Sequence, residues 1–458
     1  MLNNKKLSSK KLLLLTGNHE RIVLLNLVAS YLKVQNLDCD IYAILQFGSD
    51  KSALEIELFD GIIVEEALPR HERIFPKINF SEQQIHEMLS RDRYADNTES
   101  NAIRVAKFSH EISELMSRYK YILGIGEVSW WTEEVVARLC YDFQGEYLSP
   151  SSLRLIERRW FLAPAMSEEV LVDRISVKNN LSEKPAALIE SRPDYFKAGI
   201  AGVKLVSRIS NFRISNLLDL FSSQKKLRLL FAKIQQLATM MPGFRGIDEA
   251  ELLEIKRVAD KIYFFPLHTQ PEASVDYLAP KFRDQFKLIW ELSQTLQANE
   301  YIAVKSHPGA LHEFNLLNRL SLGFKKKIIF IRAELDISTL FYVFDGCISI
   351  TGTLAAQFAI AGVPSVTLAP LFFNAHPLCN YTTVKSWRMD IDAPIDYSDQ
   401  HFNKLFLKSL TDGSLLGHTY YDALSGFDSV YVNELAHEIF TRVDKSFTSE
   451  FLPRFPKC

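Results

Sequence analysis

Two short polar motifs in the second half of the chain combine residue types that can bind an anion. The first is Lys-Ser-His-Pro at 305–308 and the second is Thr-Gly-Thr at 351–353. Each follows an apolar run, at 301–304 and 346–350, that is typical of a buried strand. In an open parallel α/β sheet, ligands bind beyond the carboxyl ends of the strands. A cation, an imidazole and hydroxyl groups beside a glycine suit a phosphate or diphosphate.

The Thr-Gly-Thr motif precedes a predicted helix at 354–361. Thr353 is placed to cap that helix, whose first N–H groups and partial positive charge favour an anion. Gly352 would let a phosphate approach the backbone closely, with Thr351 beside it. The alternative is a capped turn that binds no ligand.

The Lys-Ser-His-Pro motif supplies charge and a hydrogen-bond donor. His307 could donate to a phosphate oxygen, and Pro308 would fix the loop that orients it. Lys305 precedes them as the cation. A structural turn without a ligand is the alternative interpretation.

A third polar cluster lies at 265–272 and also follows a predicted strand, at 262–267. It places His268, Gln270 and Glu272 around two prolines, which restrict the loop and favour a preorganised contact surface. Three such clusters after three strands of one sheet predict a shared ligand site.

In the first half, Glu127 follows a predicted strand at 121–125 and is the candidate general base. The alternative is a carboxylate that accepts hydrogen bonds at the start of a helix. Trp130 and Trp131 could stack on a sugar, although core packing is expected of at least one of them.

Two other groups have open interpretations. The Gly-Asn-His sequence at 17–19 either lines a substrate site or forms a simple turn. Arg154, Arg158 and Arg159 with Trp160 form either a basic patch for an anionic acceptor or a solvated helix face.

Strand-like and helix-like patterns alternate in both halves, which predicts parallel sheets with right-handed crossovers. Strands are predicted at 12–16, 41–45, 61–64, 121–125, 262–267, 301–305, 328–331, 346–350 and 365–368. Helices are predicted at 22–32, 103–116, 282–296, 311–320, 337–344, 354–361 and 431–443, and a helix ending near 89 begins at a capping box of Ser81 and Gln84.

We therefore predict an α/β protein of two Rossmann-like domains facing a cleft. The expected divisions are an N-terminal Rossmann-like domain at 1–200, a basic helical linker at 201–248, a C-terminal Rossmann-like domain at 249–425, and a helix and tail at 426–458. A chain of 458 residues is long enough for two or three domains.

Composition narrows the partners and the compartment. A net charge of −2 gives no overall attraction to nucleic acid. Five scattered cysteines show no zinc spacing, so we expect no metal and a reducing cytoplasm. The apolar run after the N-terminal lysines is shorter than the roughly 7–15 residues of a signal peptide, and no segment reaches the roughly 18 residues of a membrane span.

The segment at 204–245 is unusually basic, with eight lysines and arginines and one acidic residue, Asp219. Leucines and phenylalanines alternate with these charges, as in helices that lie on anionic membranes. A helix packed between domains is the alternative. The first interpretation predicts a cytoplasmic protein that is peripheral at the inner face of the cytoplasmic membrane.

Together the motifs resemble those of bacterial capsule and surface-polysaccharide biosynthesis glycosyltransferases. The resemblance rests on Phe-Pro-Leu-His-x-Gln-Pro-Glu at 265–272, Val-Lys-x-His-Pro at 304–308, and Thr-Gly-Thr at 351–353 followed by Gly-x-Pro at 362–364. These enzymes are of the two-domain GT-B type, and they are similar to sialic acid and Kdo transferases that share a His-Pro motif.

The resemblance implies transfer of a sugar from a nucleotide-sugar donor, CMP-linked or UDP-linked, to an oligosaccharide or lipid-linked acceptor, without a cofactor. It also implies that the domain at 1–200 binds the acceptor and the domain at 249–425 binds the nucleotide-sugar. His307 would contact the nucleotide phosphate beside Thr351 and Thr353, and Glu127 would be the base. Gln357 stands where relatives often have a glutamate that binds ribose, which leaves the donor and activity open. A polyol-phosphate transferase, a sugar-nucleotide epimerase and a non-catalytic assembly protein are the alternatives.

Overall fold

The structure is a computed structural model. It describes residues 8–17, 21–46, 48–67, 80–91, 98–156, 158–165, 168, 246–268, 273–306, 327–333, 335–393, 401–417, 419 and 428–444. The chain divides into two compact units. The first unit is Met1–Arg174 with Ser409–Cys458, and the second unit is Ile175–Lys408.

The strands are numbered in chain order. They are β1 (Ser8–Gly17), β2 (Cys39–Leu45), β3 (Gly61–Val64), β4 (Tyr119–Ile125), β5 (Glu146–Ser152), β6 (Arg159–Pro164), β7 (Lys261–Pro266), β8 (Glu300–Lys305), β9 (Ile328–Ile331), β10 (Gly346–Ser349), β11 (Ser365–Thr367), β12 (Cys379–Tyr381) and β13 (Leu415–Leu416).

The helices are numbered in the same way. They are α1 (Ile22–Val34), α2 (Glu82–Arg91), α3 (Glu99–Met116), α4 (Trp131–Asp142), α5 (Glu249–Val258), α6 (Ala273–Leu278), α7 (Gln285–Ser293), α8 (Leu354–Ile360), α9 (Trp387–Ile391), α10 (His401–Gly413) and α11 (Ser429–Asp444).

The first unit is built on a mixed sheet and the second unit on a parallel sheet. The first sheet has the spatial order β13-β6-β5-β4-β1-β2-β3, in which the five neighbouring strands β5, β4, β1, β2 and β3 run parallel. The second sheet, β12-β11-β10-β7-β8-β9, is parallel throughout. The predicted α/β class with two Rossmann-like sheets is confirmed. The expected cleft between the domains stays a prediction.

Both sheets contain a reversal of strand order. In the first, the chain builds β1, β2 and β3 in one direction and then places β4 on the other side of β1. In the second, it builds β7, β8 and β9 and then places β10 on the other side of β7. We call these the first and second switch points, and they are the positions where open α/β sheets bind ligands.

Several predicted elements agree with the structure in detail. The strand at 61–64 has the predicted bounds. The capping box at the start of α2 is present, because Ser81 N–H donates to Gln84 Oε1 at 2.8 Å and Gln84 N–H donates to Ser81 Oγ at 3.2 Å. The predicted helix at 311–320 lies outside the described residues.

Two predictions were wrong. The segment at 337–344 is not an α-helix but two short 3-10 turns, Ile337–Thr339 and Phe341–Val343. Its hydrogen bonds span three residues, for example Leu340 N–H to Ile337 C=O at 2.9 Å. Arg159 and Trp160 lie in strand β6 rather than on a helix, since that strand pairs antiparallel with β5 and buries Trp160 completely.

Late in the sequence, the chain returns to the first sheet and adds strand β13 beside β6. Leu415 pairs with Trp160, and the Trp160 Nε1–H donates to Leu416 C=O at 2.9 Å. Residues 409–417 therefore belong with the first unit, whereas the sequence interpretation placed the whole of 249–425 in one domain. The remaining predicted divisions stay predictions.

Candidate functional site

The second switch point brings together polar side chains from two strands that are far apart in sequence. His268 follows β7, and its Nε2 lies 3.4 Å from Ser349 Oγ at the end of β10. The same Nε2 accepts a hydrogen bond from Thr351 N–H at 3.4 Å. His268, Ser349 and Thr351 are all buried, so this cluster is shielded from bulk water.

The alternation of side chains along the strands explains why this cluster forms. Tyr263, Phe265 and Leu267 pack with α7 on one face of the sheet, and Ile348 and Ile350 belong to the same core. Side chains one position along point to the opposite face. That face carries His268, Ser349 and Thr351, together with Phe358 of α8, which stacks on Phe264.

Lys305 lies on the same face, at the end of β8. Its neighbours Ile302 and Val304 belong to the α7 core, so the alternation turns Lys305 away from it. Lys305 pairs in register with Pro266 of β7, and its C=O accepts the N–H of Leu267 at 2.8 Å. Lys305 and the adjacent Ser306 are both buried. A cation therefore stands one strand away from the imidazole.

Gly352 has a structural reason for being a glycine. A Cβ at this position would lie 2.8 Å from Ser349 Oγ and 3.1 Å from His268 Cε1. The glycine N–H donates to Ser349 Oγ at 2.9 Å. The amides of 351 and 352 are thus both paired within the fold, and the approach of a phosphate to Gly352 stays a prediction.

The Thr351 hydroxyl has a different status. Its Oγ1 is buried and has no hydrogen-bond partner among the described residues. A buried polar atom in this state costs roughly 1–3 kcal/mol, so native proteins usually satisfy it with a partner, water or ligand. This hydroxyl belongs to the residue whose N–H contacts His268 Nε2, so a ligand oxygen bound there could satisfy it.

Thr353 and Gln357 complete the described part of the predicted set. Thr353 occupies the position before α8, as expected, but its side chain makes no capping hydrogen bond. Gln357 lies one turn into α8, where its N–H donates to Thr353 C=O at 3.1 Å. Both side chains are partly exposed. His307, Pro308, Gln270 and Glu272 lie outside the described residues, as do the Asn-His pair at 18–19 and the basic segment at 204–245.

Glu127 follows β4 at the first switch point. Its carboxylate forms an ion pair with the Arg21 guanidinium, and the two side chains are 38% and 25% exposed. The alternative reading, in which the carboxylate satisfies backbone donors at the helix start, applies to Glu133 instead. The Glu133 Oε2 accepts N–H groups of Ser129 at 2.7 Å and Trp130 at 3.1 Å.

The tryptophans near Glu127 divide as expected. Trp131 is buried and packs edge-on against Phe108 at a centroid distance of 5.5 Å. Trp130 is partly exposed. Core packing of at least one of the two is therefore confirmed.

A hydroxyl pair fills the interior of the first switch point. Thr16 Oγ1 and the phenol oxygen of Tyr147 are 2.5 Å apart, and Thr16 Oγ1 also donates to Ile125 C=O at 3.3 Å. Burial raises the pKa of Tyr147 well above its usual value, so the phenol stays protonated. A Cβ on Gly126 would lie 1.8 Å from Thr16 Oγ1, so this position requires a glycine.

Sequence reasoning missed five residues of these two sites, namely Thr16, Arg21, Tyr147, Gln285 and Ser349. Ser349 carried a signal, because it is the one polar side chain in the apolar strand β10. Tyr147 and Gln285 carried none, since their roles depend on contacts across the sheet. Gln285 is described below.

The described residues contain no group of three or more histidine, cysteine and acidic side chains placed to hold a metal ion. In the same part of the chain, no helix is long and apolar enough to cross a bilayer.

Comparisons with known proteins give only distant likenesses. No family model and no curated protein matches the chain. Among solved structures, the Thermosulfurimonas dismutans KpsC β-Kdo 2,7 transferase is 12% identical with a TM-score of 0.32, covering 80% of this chain and 97% of that one. The Methanocaldococcus jannaschii UDP-GlcNAc 2-epimerase, in complex with UDP-GlcNAc and UDP, is 15% identical with a TM-score of 0.25, covering 88% and 100%.

The Neisseria meningitidis UDP-GlcNAc 2-epimerase, bound to UDP-GlcNAc, is 10% identical with a TM-score of 0.26 and covers 88% of this chain and 100% of that one. Kdo transferases and UDP-GlcNAc 2-epimerases thus both occur among the solved structures that match. At these identities and TM-scores the likenesses carry no functional argument, and the function is argued from the site residues.

Proposed function

We propose that the protein is a glycosyltransferase that binds its nucleotide-sugar donor at the second switch point. The observation that carries the proposal is the buried hydroxyl of Thr351, which has no partner among the described residues; the backbone N–H of the same residue contacts the imidazole of His268. A phosphate oxygen of the donor would accept the Thr351 O–H and satisfy it.

The chemistry of the surrounding side chains supports an anionic ligand. Lys305 brings positive charge to the same face of the sheet, and His268 supplies an imidazole whose Nε2 accepts the Thr351 N–H. In sugar transfer the leaving nucleotide gains negative charge at its phosphate. Donors and cations fixed in place before the reaction stabilise that charge most effectively.

The proposal keeps the roles expected from the sequence for the other residues. His307 would contact the donor phosphate, with Pro308, Thr353, Gln270 and Glu272 nearby. Gln357 would bind the ribose, His268 would act at the phosphate, and Glu127 would take the proton from the acceptor hydroxyl. The donor would be CMP-linked or UDP-linked, the acceptor a polysaccharide or lipid-linked sugar, and no cofactor would be needed.

Calorimetry with CMP and UDP tests donor binding directly. Thr351→Val has nearly the same shape and lacks the hydroxyl, so it should weaken nucleotide binding by about tenfold, the loss of one hydrogen bond to a charged group. Thr132→Val is the matched control, because Thr132 is buried in the first unit and should not affect affinity. Absence of binding of either nucleotide by the wild-type protein would overturn the proposal.

A product assay tests the reaction. With a CMP-linked or UDP-linked sugar and an oligosaccharide acceptor, transfer releases the free nucleotide, and Glu127→Gln should reduce that release while leaving nucleotide affinity unchanged. Conversion of the sugar with no nucleotide released and no acceptor required would instead identify an epimerase. Full turnover by His307→Ala would remove the assignment of His307.

A further inference from the structure

We infer that Gln285 is a positioning residue that fixes His268 at the second switch point. Its side-chain amide pairs with both polar groups of the His268 backbone. His268 N–H donates to Gln285 Oε1 at 2.8 Å, and Gln285 Nε2 donates to His268 C=O at 3.0 Å. The inference rests on the proposed function only for the role of His268 towards a ligand.

The pairing occurs where the sheet can no longer hold the backbone. Leu267 still donates its N–H to Lys305 of β8, at 2.8 Å, whereas the next residue has left the strand. The N–H and C=O of His268 would otherwise need water or another strand. The Gln285 side chain supplies one donor and one acceptor to the His268 backbone, as a neighbouring strand would do.

His268 is therefore contacted by residues from both faces of the sheet. Gln285 is the first residue of α7, which packs against the face that carries Phe265 and Leu267. The imidazole points to the other face, where Ser349 and Thr351 contact its Nε2. The hydrogen bonds to Gln285 fix the position of the His268 backbone, and the contacts with Ser349 and Thr351 fix the orientation of its ring.

Gln285 itself is firmly placed. Its side chain is buried, and the preceding Asp284 caps α7 by accepting the N–H of Lys287 at 2.9 Å. Leu288, Ile289 and Leu292 anchor the helix in the core. A rotamer locked in this way transmits the position of the helix to the loop after β7.

The chemical consequence is preorganisation. A histidine that is already oriented does not lose conformational freedom when the anion binds, so the affinity is higher. Removal of the Gln285 amide should leave the imidazole itself unchanged and reduce the fraction of molecules in which it faces the ligand.

The test is Gln285→Met, which keeps the length and loses both hydrogen bonds, with Gln294→Met as the control. Gln294 lies just beyond the end of the same helix, is exposed, and contacts only local atoms of Trp290 and Ser293. Both proteins carry ¹³C-labelled histidine, and the His268 resonance is identified by its loss in His268→Gln. We expect the resonance to shift or broaden in Gln285→Met alone, without nucleotide, and the CMP or UDP affinity to fall about tenfold.

Gln285→Glu provides a second variant if Gln285→Met does not fold. It keeps the shape and one acceptor, loses the donor to His268 C=O, and should give the same resonance change to a smaller degree. An unchanged His268 resonance in a folded variant would overturn the positioning role. A changed resonance in a protein whose wild type binds no nucleotide would instead support the positioning role and reject the proposed ligand.

Discussion

The two switch points share a topology and differ in how their polar atoms are satisfied. At the first, Thr16 and Tyr147 bond to each other and Glu127 pairs with Arg21. At the second, His268 contacts Ser349 and Thr351, and the Thr351 hydroxyl has no partner in the described part of the chain. Topology indicates where a ligand can bind, and a buried hydroxyl without a partner, such as that of Thr351, is a group that a ligand could satisfy.

The glycines at these positions show the same contrast. A Cβ on Gly126 would meet Thr16 Oγ1 at 1.8 Å and Thr16 C=O at 2.9 Å, which are fixed atoms of the neighbouring strand. A Cβ on Gly352 would meet side-chain atoms only, at 2.8 Å or more. A side chain at position 126 therefore clashes more severely than one at position 352.

The largest expected effect follows from this crowding. Gly126→Ala should lower the free energy of unfolding by about 3 kcal/mol, the upper range for overpacking a core, and Gly352→Ala by about 1 kcal/mol. Urea unfolding measures both. Gly413→Ala is the control, because nothing lies within 4 Å of its Cβ position. Equal losses at 126 and 352 would contradict the distinction between the sites.

The second effect concerns the two hydroxyl groups. Tyr147→Phe removes a buried phenol that bonds to Thr16, and it should cost about 1–2 kcal/mol of stability. Thr351→Val removes a hydroxyl with no described partner, and it should cost nothing or stabilise slightly in the absence of nucleotide. Urea unfolding curves of both variants make the comparison, and a large loss from Thr351→Val would show that its hydroxyl is satisfied within the fold.

A smaller effect is expected at the ion pair of the first switch point. Arg21 and Glu127 are both partly exposed, and exposed pairs contribute up to about 1 kcal/mol. Glu127→Gln should therefore reduce stability by less than this amount. The difference from wild type should disappear in about 1 M salt, where screening is strong. A salt-independent loss would indicate a structural role for the carboxylate.

The smallest effect is a pH dependence that belongs to the second unit. His376 is fully buried, with Nε2 at 2.9 Å from Asn403 Oδ1 and Nδ1 accepting Leu378 N–H at 3.2 Å. Burial lowers the pKa of His376 below its ordinary value of 6.5. The folded chain resists a proton that the unfolded chain accepts, so this contribution is complete above pH 6.5 and decreases as the pH falls below it.

Urea unfolding at pH 7.5 and 5.5 measures that dependence. His376→Gln should flatten it. An equal pH dependence in wild type and His376→Gln would show that other groups are responsible.

Local patterns were enough to predict most of the fold. The capping box at Ser81 and the alternation of apolar strands with helices depend on neighbours in sequence, and they agree with the structure. The segment at 337–344 has helical spacing but folds as two 3-10 turns, the first started by Asp336, whose Oδ1 accepts the Ser338 N–H at 2.9 Å. Periodicity alone does not distinguish these outcomes.

The site was predictable in part for the same reason. His268, Lys305 and Thr351 follow apolar runs, so their place at the strand ends could be read from the sequence. The pairing of Gln285 with His268, or of Thr16 with Tyr147, joins residues whose proximity is created by the sheet. The contact of Gly352 with Ser349 Oγ could not be predicted either, because tertiary packing selects the strand face on which Ser349 lies.

The return of the chain to the first sheet has a consequence for synthesis on the ribosome. Tyr431, Leu435 and Ile439 of α11 complete the core formed by Leu25 and Val28 of α1. The N-terminal part of the first unit therefore leaves the ribosome early, but its core is incomplete and part of its apolar surface stays exposed until the whole second unit has been translated. A nascent chain with this connectivity needs protection from aggregation during that interval. Ribosomal stalling before residue 429 would leave a fragment that is prone to aggregation and proteolysis.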